Sequence, residues 1–564
     1  MATFVSESVV GPRSERAADY ASQKHYDVIV VGLGPVGAVC ALLLAARGIS
    51  ILVLEKDNVP YDFPRAIHID HEIMRVLQSV GLAEVLLPKL ATAVGAVHFG
   101  ADLGITRPFQ RYETGGRLGW SSDYFFYQPE IEAVLREQLA LLKAVDIRLG
   151  CAVTDIRQSS ETVSVVIDGV EEVSASYVFG CDGARSVVRK SVGSELEDLG
   201  FDESWIVVDA IVDGPIRIPN LRGLPPDIDL QRLVFLIGDP TRPTSVIPGP
   251  GSHRRWEFML LPDESPEEFL DQKSVKELLA PWLSDQSYRV LRCTVYRFHA
   301  LIATKWRTDR VFLLGDAAHQ TPPFFGQGLC HGIRDAANLS WKLRMVLDGV
   351  APPSLLSSYQ LERLPQVKRI VETSINMGRF MCTLDPATAR KRDAAMREQM
   401  QSAASPKIDI IPKLEAGIIA LNRGHDGPNG ERFIQPPMID HCGKRRLLDD
   451  FTRRGFVLLT MTDLSLNLRP PASLRGQVKL DCFTIRPSDW PIPELATELL
   501  DCSGELLRWL EHRRCQGVLI RPDGYVYGTF SSGEEIAALF ACLDLQLSNV
   551  SAGIQYLSEG QMAS

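Results

Sequence analysis

Three short segments of this 564-residue chain carry residue types that could do chemistry together, although they lie far apart. The first is Gly32-Leu-Gly34-Pro-Val-Gly37, followed at a distance by Glu55. Glycines at these spacings permit a tight turn, close backbone approach to a pyrophosphate and close helix–strand packing. The helix that opens there offers unpaired N–H groups to phosphate. Glu55 is placed to accept hydrogen bonds from ribose hydroxyls, and an acid there disfavours a 2′-phosphate. The second segment is Cys181-Asp182-Gly-Ala-Arg-Ser186, with Arg189 after it. The third begins Gly315-Asp316-Ala-Ala-His319 and runs through Thr321-Pro-Pro-Phe-Phe-Gly-Gln-Gly-Leu-Cys-His-Gly332. Neither has metal-ligand spacing. An aspartate ending a strand is, alone, as often a helix cap as a ligand. Three such motifs in this order point to one dinucleotide site.

The elements that must position them can be read from periodicity. Residues 26–55 read as strand, turn, helix, strand, with β-branched runs at Val28 to Val31 and Ile51 to Leu54. Helical spacing returns at 71–81 and 129–143, and Tyr177 to Gly180 is the strand before the second motif. From 195 to 297 the pattern changes to alternating strands, such as Trp205 to Asp209 and Trp256 to Leu260, separated by proline-rich turns. That predicts a mostly antiparallel domain inserted into the first. The first domain resumes with the strand Val311 to Leu314 and a long helical stretch from His331 to about Gly378, interrupted near Pro352-Pro353. Residues 381–443 are weakly patterned, with a charged run from Arg390 to Arg397 that reads as a solvated helix face. After Leu448 a further unit shows a strand at 455–459, a helix at 504–513, a hairpin at 517–527 and a helix at 534–543.

In this order, the three motifs resemble those of the single-component FAD-dependent aromatic hydroxylases, the para-hydroxybenzoate hydroxylase group. Pro64-Arg65-Ala66 with Asp70-His-Glu72, Phe126-Tyr-Gln128-Pro-Glu130, Trp205 to Asp209, Arg255-Trp-Glu-Phe258 and Arg334-Asp to Leu343 resemble the 3-(3-hydroxyphenyl)propionate hydroxylase branch. The likeness is close over about 25–375. The last hundred or so residues are similar, more loosely, to the thioredoxin-like C-terminal domain of phenol hydroxylase relatives. The implied fold is an α/β, Rossmann-like FAD-binding domain (26–194 and 298–380) with an inserted α+β substrate-binding domain (195–297). A flexible amino-terminal arm (1–25), a helical and loop connector (381–447) and a thioredoxin-like α/β domain (448–564) complete it. That last unit has no CxxC, so the expectation for it is structural rather than redox.

The resemblance also implies residues and chemistry. Gly32, Gly34, Gly37, Glu55 and Lys56 would hold the ADP half of FAD, and Arg65 and Gln128 would contact its flavin side. Asp182 would serve both FAD and NAD(P)H, and Asp316 the ribityl chain or its phosphate. The helix opening at Gly328 and Leu329 would aim its amides at the flavin pyrimidine. Arg65, Pro323 and Phe324 would stand at the catalytic face, where His68 is a further candidate on position alone; Arg255 and Trp256, from their place on a strand of the substrate domain, and Tyr296, on position alone, are the candidates for the substrate pocket. NAD(P)H would reduce the flavin, O2 would add to its C4a carbon, and the terminal oxygen would pass to a phenolic ring. Larger aromatic metabolites such as a polyketide or quinolone, and a catalytically silent flavin-binding protein, are the alternatives. Cys330 stands where relatives often carry Asn.

Other residues are open on sequence alone. His319 reads as a structural partner before a catalytic base. Arg254 and Arg255 fit either a substrate carboxylate partner or a solvated edge. No second glycine motif marks a nicotinamide site, since Gly249-Pro-Gly251 lies in a proline-rich turn.

The composition is that of a folded soluble chain: 45% hydrophobic, 23% charged and a net charge of −10. The acidic balance gives no field for nucleic acid or an anionic membrane. Eleven scattered cysteines without a CxxC suit a reducing compartment. With no signal-peptide region and no apolar run of spanning length, a cytoplasmic protein is expected, with a homodimer as the assembly considered.

Overall fold

The computed structural model describes residues 25–60, 62–111, 115–224, 226–269, 271–283, 286–401, 410–420, 427–452, 455–462 and 478–548. The arm before residue 25, residues 421–426 and the chain after 548 lie outside the described residues.

The β-branched run Tyr26–Val31 is covered on both faces, as a central parallel strand must be. It pairs in parallel with Ile51–Glu55 on one side and Glu171–Gly180 on the other. Val145–Leu149 extends the sheet beyond Ile51–Glu55, and Val311–Leu313 pairs in parallel with Glu171–Gly180. The hairpin partners Val163–Ile167 and Val153–Gln158 make the far edge antiparallel. All three motifs thus end neighbouring parallel strands at one edge of one sheet. Two glycines of the first motif are required by close approach. Gly32 has φ +98°, and a Cβ there would lie 2.4 Å from the Cys181 carbonyl oxygen; one on Gly37 would lie 2.0 Å from that of Gly32. Helix Pro35–Ala45 packs under helix Gly328–Leu347 behind this edge.

The second sheet has eight strands, in the order His319–Gln320, Tyr288–Ala303, Leu196–Val212, His253–Met259, Thr244–Pro248, Leu233–Ile237, Gly95–Phe99, Ile105–Arg111. Every pair is antiparallel except Leu233–Ile237 with Gly95–Phe99. The segment expected as an inserted domain therefore does not stand alone. It recruits two strands from 95–111, which sequence reading assigns to the first domain, because nothing in their composition says which sheet they join. One face of this sheet (Val97, Phe235, Val246, Trp256, Ile206, Val208) closes on helix Gln272–Leu283 through Leu279 and Trp282. The other face looks back at the motifs.

A third, seven-stranded sheet occupies the carboxyl-terminal part, with helices Glu505–His512 and Gly533–Ser548. Buried ions join it to the first domain. Glu362 on helix Ser358–Met381 meets Lys342 at 2.8 Å and Arg521 at 2.7 Å, and Glu72 accepts from Tyr525 at 3.0 Å and from Arg334 at 2.5 Å. The charged run at 390–397 lies on helix Pro386–Gln401, and it is not merely a solvated face. Asp393 is buried and accepts from the Ala101 amide, while Arg397 reaches the Ile105 carbonyl at 3.0 Å. No helix among the described residues is long and apolar enough to cross a membrane.

Candidate active site

A cavity of about 1030 Å³ opens between the motif edge of the first sheet and the inner face of the second. Gly32, Gly34, Glu55 and Lys56 line one end. A Cβ on Gly34 would meet nothing within 4 Å, so the backbone stands open where the first helix begins. Glu55 accepts from the amides of Leu33 at 2.7 Å and Asp57 at 3.0 Å, which fixes its carboxylate at the strand end. Gly37 does not line the cavity; its part is to let helix and strand close up.

The two aspartates differ. Asp182 accepts from the Val187 and Val188 amides at 2.7 and 3.1 Å and from the Ser186 hydroxyl at 2.5 Å, so it caps the helix Val187–Ser191 while facing the cavity. Asp316 accepts no hydrogen bond from any described residue and opens into the cavity. Burial lifts its pKa above the ordinary carboxylate range despite the nearby His319 and Arg65 charges. Its turn is held from behind by Asp335, which accepts from the Gly315 amide at 3.1 Å, from His319 Nε2 at 2.8 Å and from Arg363 Nε at 2.9 Å. His319 is wholly buried in that cluster, which gives it a structural place.

Beyond Asp316 the chain passes the turn Pro323–Phe325 and enters helix Gly328–Leu347. Pro323, Phe324, Gly328 and Leu329 line the cavity, and a Cβ on Gly328 would again meet nothing within 4 Å. Phe324 stands edge-on to Phe201, Trp205 and Phe298, with ring centroids 5.8, 5.8 and 6.3 Å away. An open glycine turn, two aspartates at strand ends and two helix N-termini on one cavity are the donor set a dinucleotide needs. The residues present fit FAD.

Arg65 and His68 come from the segment across the cavity mouth. The Gln128 side-chain oxygen accepts from the amides of Arg65 at 2.9 Å and Ala66 at 2.7 Å, and its nitrogen donates to Glu132 at 2.6 Å. Its amide is thus spent on holding the Arg65 backbone. His68 pairs through Nε2 with Asp123 Oδ1 at 2.7 Å, with Nδ1 3.3 Å from the Gly326 carbonyl. Burial alone would lower the His68 pKa, but the hydrogen bond to Asp123, with Cys330 adding to it, holds it well above the ordinary value. Cys330 is buried beside this pair, and burial raises its thiol pKa.

The inner face of the second sheet corrects two expectations. Trp256 is not in the pocket: side chains alternate along His253–Met259, and Trp256 lies wholly buried on the helix-covered face. Arg255 does face the cavity, but it is neither at a solvated edge nor free for a substrate. Its strand is interior to the sheet, and its guanidinium is paired with Asp209 and two backbone carbonyls. Tyr296 lines the cavity and accepts from Arg292. Sequence reading missed Asp123, Asp335 and, above all, Glu257, which strand alternation places beside Arg255 on the cavity face.

Comparison with known proteins agrees with this geometry. Residues 25–374 match the FAD binding domain family, and residues 430–545 match the HcaD C-terminal domain. A probable NADH-specific resorcinol 4-hydroxylase of Rhodococcus jostii (strain RHA1) is 35% identical, covering 92% of this chain and 94% of that protein. A 3-(3-hydroxy-phenyl)propionate/3-hydroxycinnamic acid hydroxylase of Mycolicibacterium gilvum (strain PYR-GCK) is 31% identical over 89% of this chain and 88% of that protein. Among solved structures, aklavinone-11 hydroxylase with FAD and aklavinone superposes with a TM-score of 0.72 at 21% identity, covering 92% of this chain and 98% of that one. The flavin-dependent monooxygenase PieE superposes at 0.75 and 19% identity, covering 93% and 99%. These two establish likeness of fold. Motifs, cavity and relatives converge: the chain belongs to the FAD-dependent aromatic hydroxylases, NAD(P)H-consuming flavoprotein monooxygenases that hydroxylate phenolic rings.

Proposed function

We propose that this enzyme hydroxylates a compact phenol seated between the Pro323–Phe324 turn and the inner face of the second sheet. The observation that carries this reading is one cavity on which the dinucleotide-binding edge and the inner sheet face meet, the latter bringing apolar Val207, Leu236, Ile247 and Phe298 beside its polar groups. When bound, FAD supplies electron transfer from NAD(P)H and activation of O2. The protein binds, orients and keeps the site dry. Gly32, Gly34, Glu55 and Lys56 would hold the ADP end, with Gly37 letting the helix close on the turn behind them, and Asp182 and Asp316 would hold the middle of the cofactor. Arg65, positioned by Gln128, and the amides of Gly328 and Leu329 would meet the flavin end. Phe324 and its aromatic neighbours exclude water from the ring site. His68, charged beside Asp123, would hold the proton nearest that ring and favour the phenolate form.

Supporting the thioredoxin-like reading of the last unit is its strand order. Leu480–Pro487 and Phe456–Thr460 are parallel, followed by antiparallel Gly517–Ile520 and Val526–Phe530, with helices on either side of that hairpin in sequence. A cytoplasmic homodimer completes the proposal. No particular observation favours a polyketide or quinolone. The test is substrate-stimulated NADH oxidation by the FAD-loaded enzyme across a phenol panel, with the product mass read for one added oxygen. Stoichiometric FAD with no stimulation by any phenol would overturn the reading.

A further inference from the structure

Strand register lays one row of side chains across the inner face of the second sheet: Arg107, His98, Leu236, Ser245, Glu257 and Val207, each opposite the next. All six line the cavity. Apart from Ser245, the wall around Glu257 is apolar or already paired. Val207 flanks it on one side, and Phe298 and Ile247 belong to the same lining. Arg255, two residues before it, is committed to Asp209 and the Pro64–Arg65 carbonyls. Among the described residues no hydrogen bond or ion pair reaches the Glu257 carboxyl. Arg107, at the far end of the row, is four strands away, about 19 Å at the usual strand spacing. An unpartnered carboxyl in an apolar wall is costly, so its place is explained best by what it meets in the cavity. Ser245, directly across on the next strand, adds a hydroxyl to the same spot.

We propose that Glu257 is a specificity-determining residue that accepts a hydrogen bond from a second ring hydroxyl, selecting a dihydroxybenzene over a phenol bearing a carboxylate side chain. This rests on the phenol-hydroxylase reading above and deepens it. A hydroxyl donor satisfies the carboxyl, whereas a methoxy group leaves it unpaired and an arylpropionate sets a second negative charge in the same cavity. Burial pushes the Glu257 pKa up to about 7, with Asp209 adding and Arg255 opposing, which keeps the group able to share a proton with a phenol. The residue acts in binding, and the charge on Arg255 that sequence reading offered to a substrate carboxylate is already neutralised by Asp209.

The test is ligand binding to the full-length, FAD-loaded protein, followed by the change in flavin absorbance with resorcinol, 3-methoxyphenol and 3-(3-hydroxyphenyl)propionate. Wild type is expected to bind resorcinol at least about 10-fold more tightly than 3-methoxyphenol, with the propionate weaker again. In Glu257→Leu the preference for resorcinol should collapse to within about threefold. In Glu257→Gln, whose amide still accepts, the hydroxyl preference should persist while the propionate gains at least about fivefold. A wild type without the hydroxyl preference, or a Glu257→Leu protein that keeps it, overturns the assignment. Should Glu257→Leu fail to hold FAD, an unchanged propionate ratio in Glu257→Gln overturns it instead. If wild type oxidises NADH in response to resorcinol yet the variants leave these ratios unchanged, only Glu257 is misassigned. If no phenol perturbs the flavin or stimulates oxidation, the hydroxylase reading falls as well.

Discussion

Arg255 grips Asp209 with two parallel bonds, Nε to Oδ1 at 2.9 Å and Nη2 to Oδ2 at 3.0 Å, while also donating to the carbonyls of Arg65 at 2.8 Å and Pro64 at 3.0 Å. One buried guanidinium therefore ties the second sheet to the segment that carries Arg65 and His68. Burial works against both charges, but their mutual attraction raises the Arg255 pKa and lowers that of Asp209. Replacing Arg255 by Gln should leave Asp209 with only His253 and cost about 3–5 kcal/mol of stability, with slower flavin reduction in the protein that survives. Denaturant midpoints and stopped-flow reduction by NADH check this. A variant with unaltered stability and reduction would show that the tie is idle.

Asp316→Leu tests the cofactor site. Since this carboxyl accepts no hydrogen bond from any described residue, removing it should cost the fold little while weakening FAD by at least about 10-fold, the value of a charge-assisted bond. Fluorescence titration of apoprotein gives the affinity, and melting of the apoprotein gives the fold. Asp182→Ala should differ by lowering apoprotein stability as well, by about 1 kcal/mol, because it also uncaps the helix at 187–191.

The charged pair His68–Asp123 sets a pH dependence. The folded-state pKa of His68 lies above its unfolded value, so its contribution to stability is complete below the unfolded pKa, near 6.5, and is lost as pH rises through the folded value. The melting-temperature gap between wild type and His68→Gln should therefore narrow as pH is raised from 6 toward alkaline values. A gap that is constant or widens would mean that His68 is neutral in the fold. Asp123→Asn should remove most of this dependence.

At the acid end the reporter is Glu362. Burial opposes its charge, but Arg521 and Lys342 hold its pKa at about 2, so its contribution is present above the unfolded pKa and is lost as pH falls through about 2. Lys342 in the same cluster is itself drawn down to about 8, because burial outweighs its attraction to Glu362. The cluster thus leans on Arg521 rather than on the lysine. Glu362→Gln should cost about 3–5 kcal/mol and flatten the acid limb of the stability profile, and Lys342→Met should cost clearly less. Urea unfolding between pH 3 and 7 checks both.

What was legible in the sequence was local. A glycine turn between a strand and a helix, or an aspartate at a strand end, advertises itself through backbone requirements that only neighbouring residues set. Gly32, Asp182 and Asp316 could be found in this way. The inner wall of the cavity was legible only by half. Alternation says that Arg255 and Glu257 share a face and that Trp256 takes the other, but not which face a helix will cover. A large aromatic therefore looked like a pocket residue. The recruitment of strands 95–111, and the pairing of Arg255 with Asp209, depend on contacts between distant segments that no local pattern encodes.

The second sheet is two-sided, with alternate residues of the same strands serving ligand and core. Selection can then retune which ring is accepted by single replacements at 207, 236, 245 or 257 without disturbing the layer beneath. An inserted or deleted residue within those strands would exchange the two faces at once, losing pocket and core together. Substrate range in such a scaffold is expected to drift by point substitution, with changes of length confined to the turns between strands.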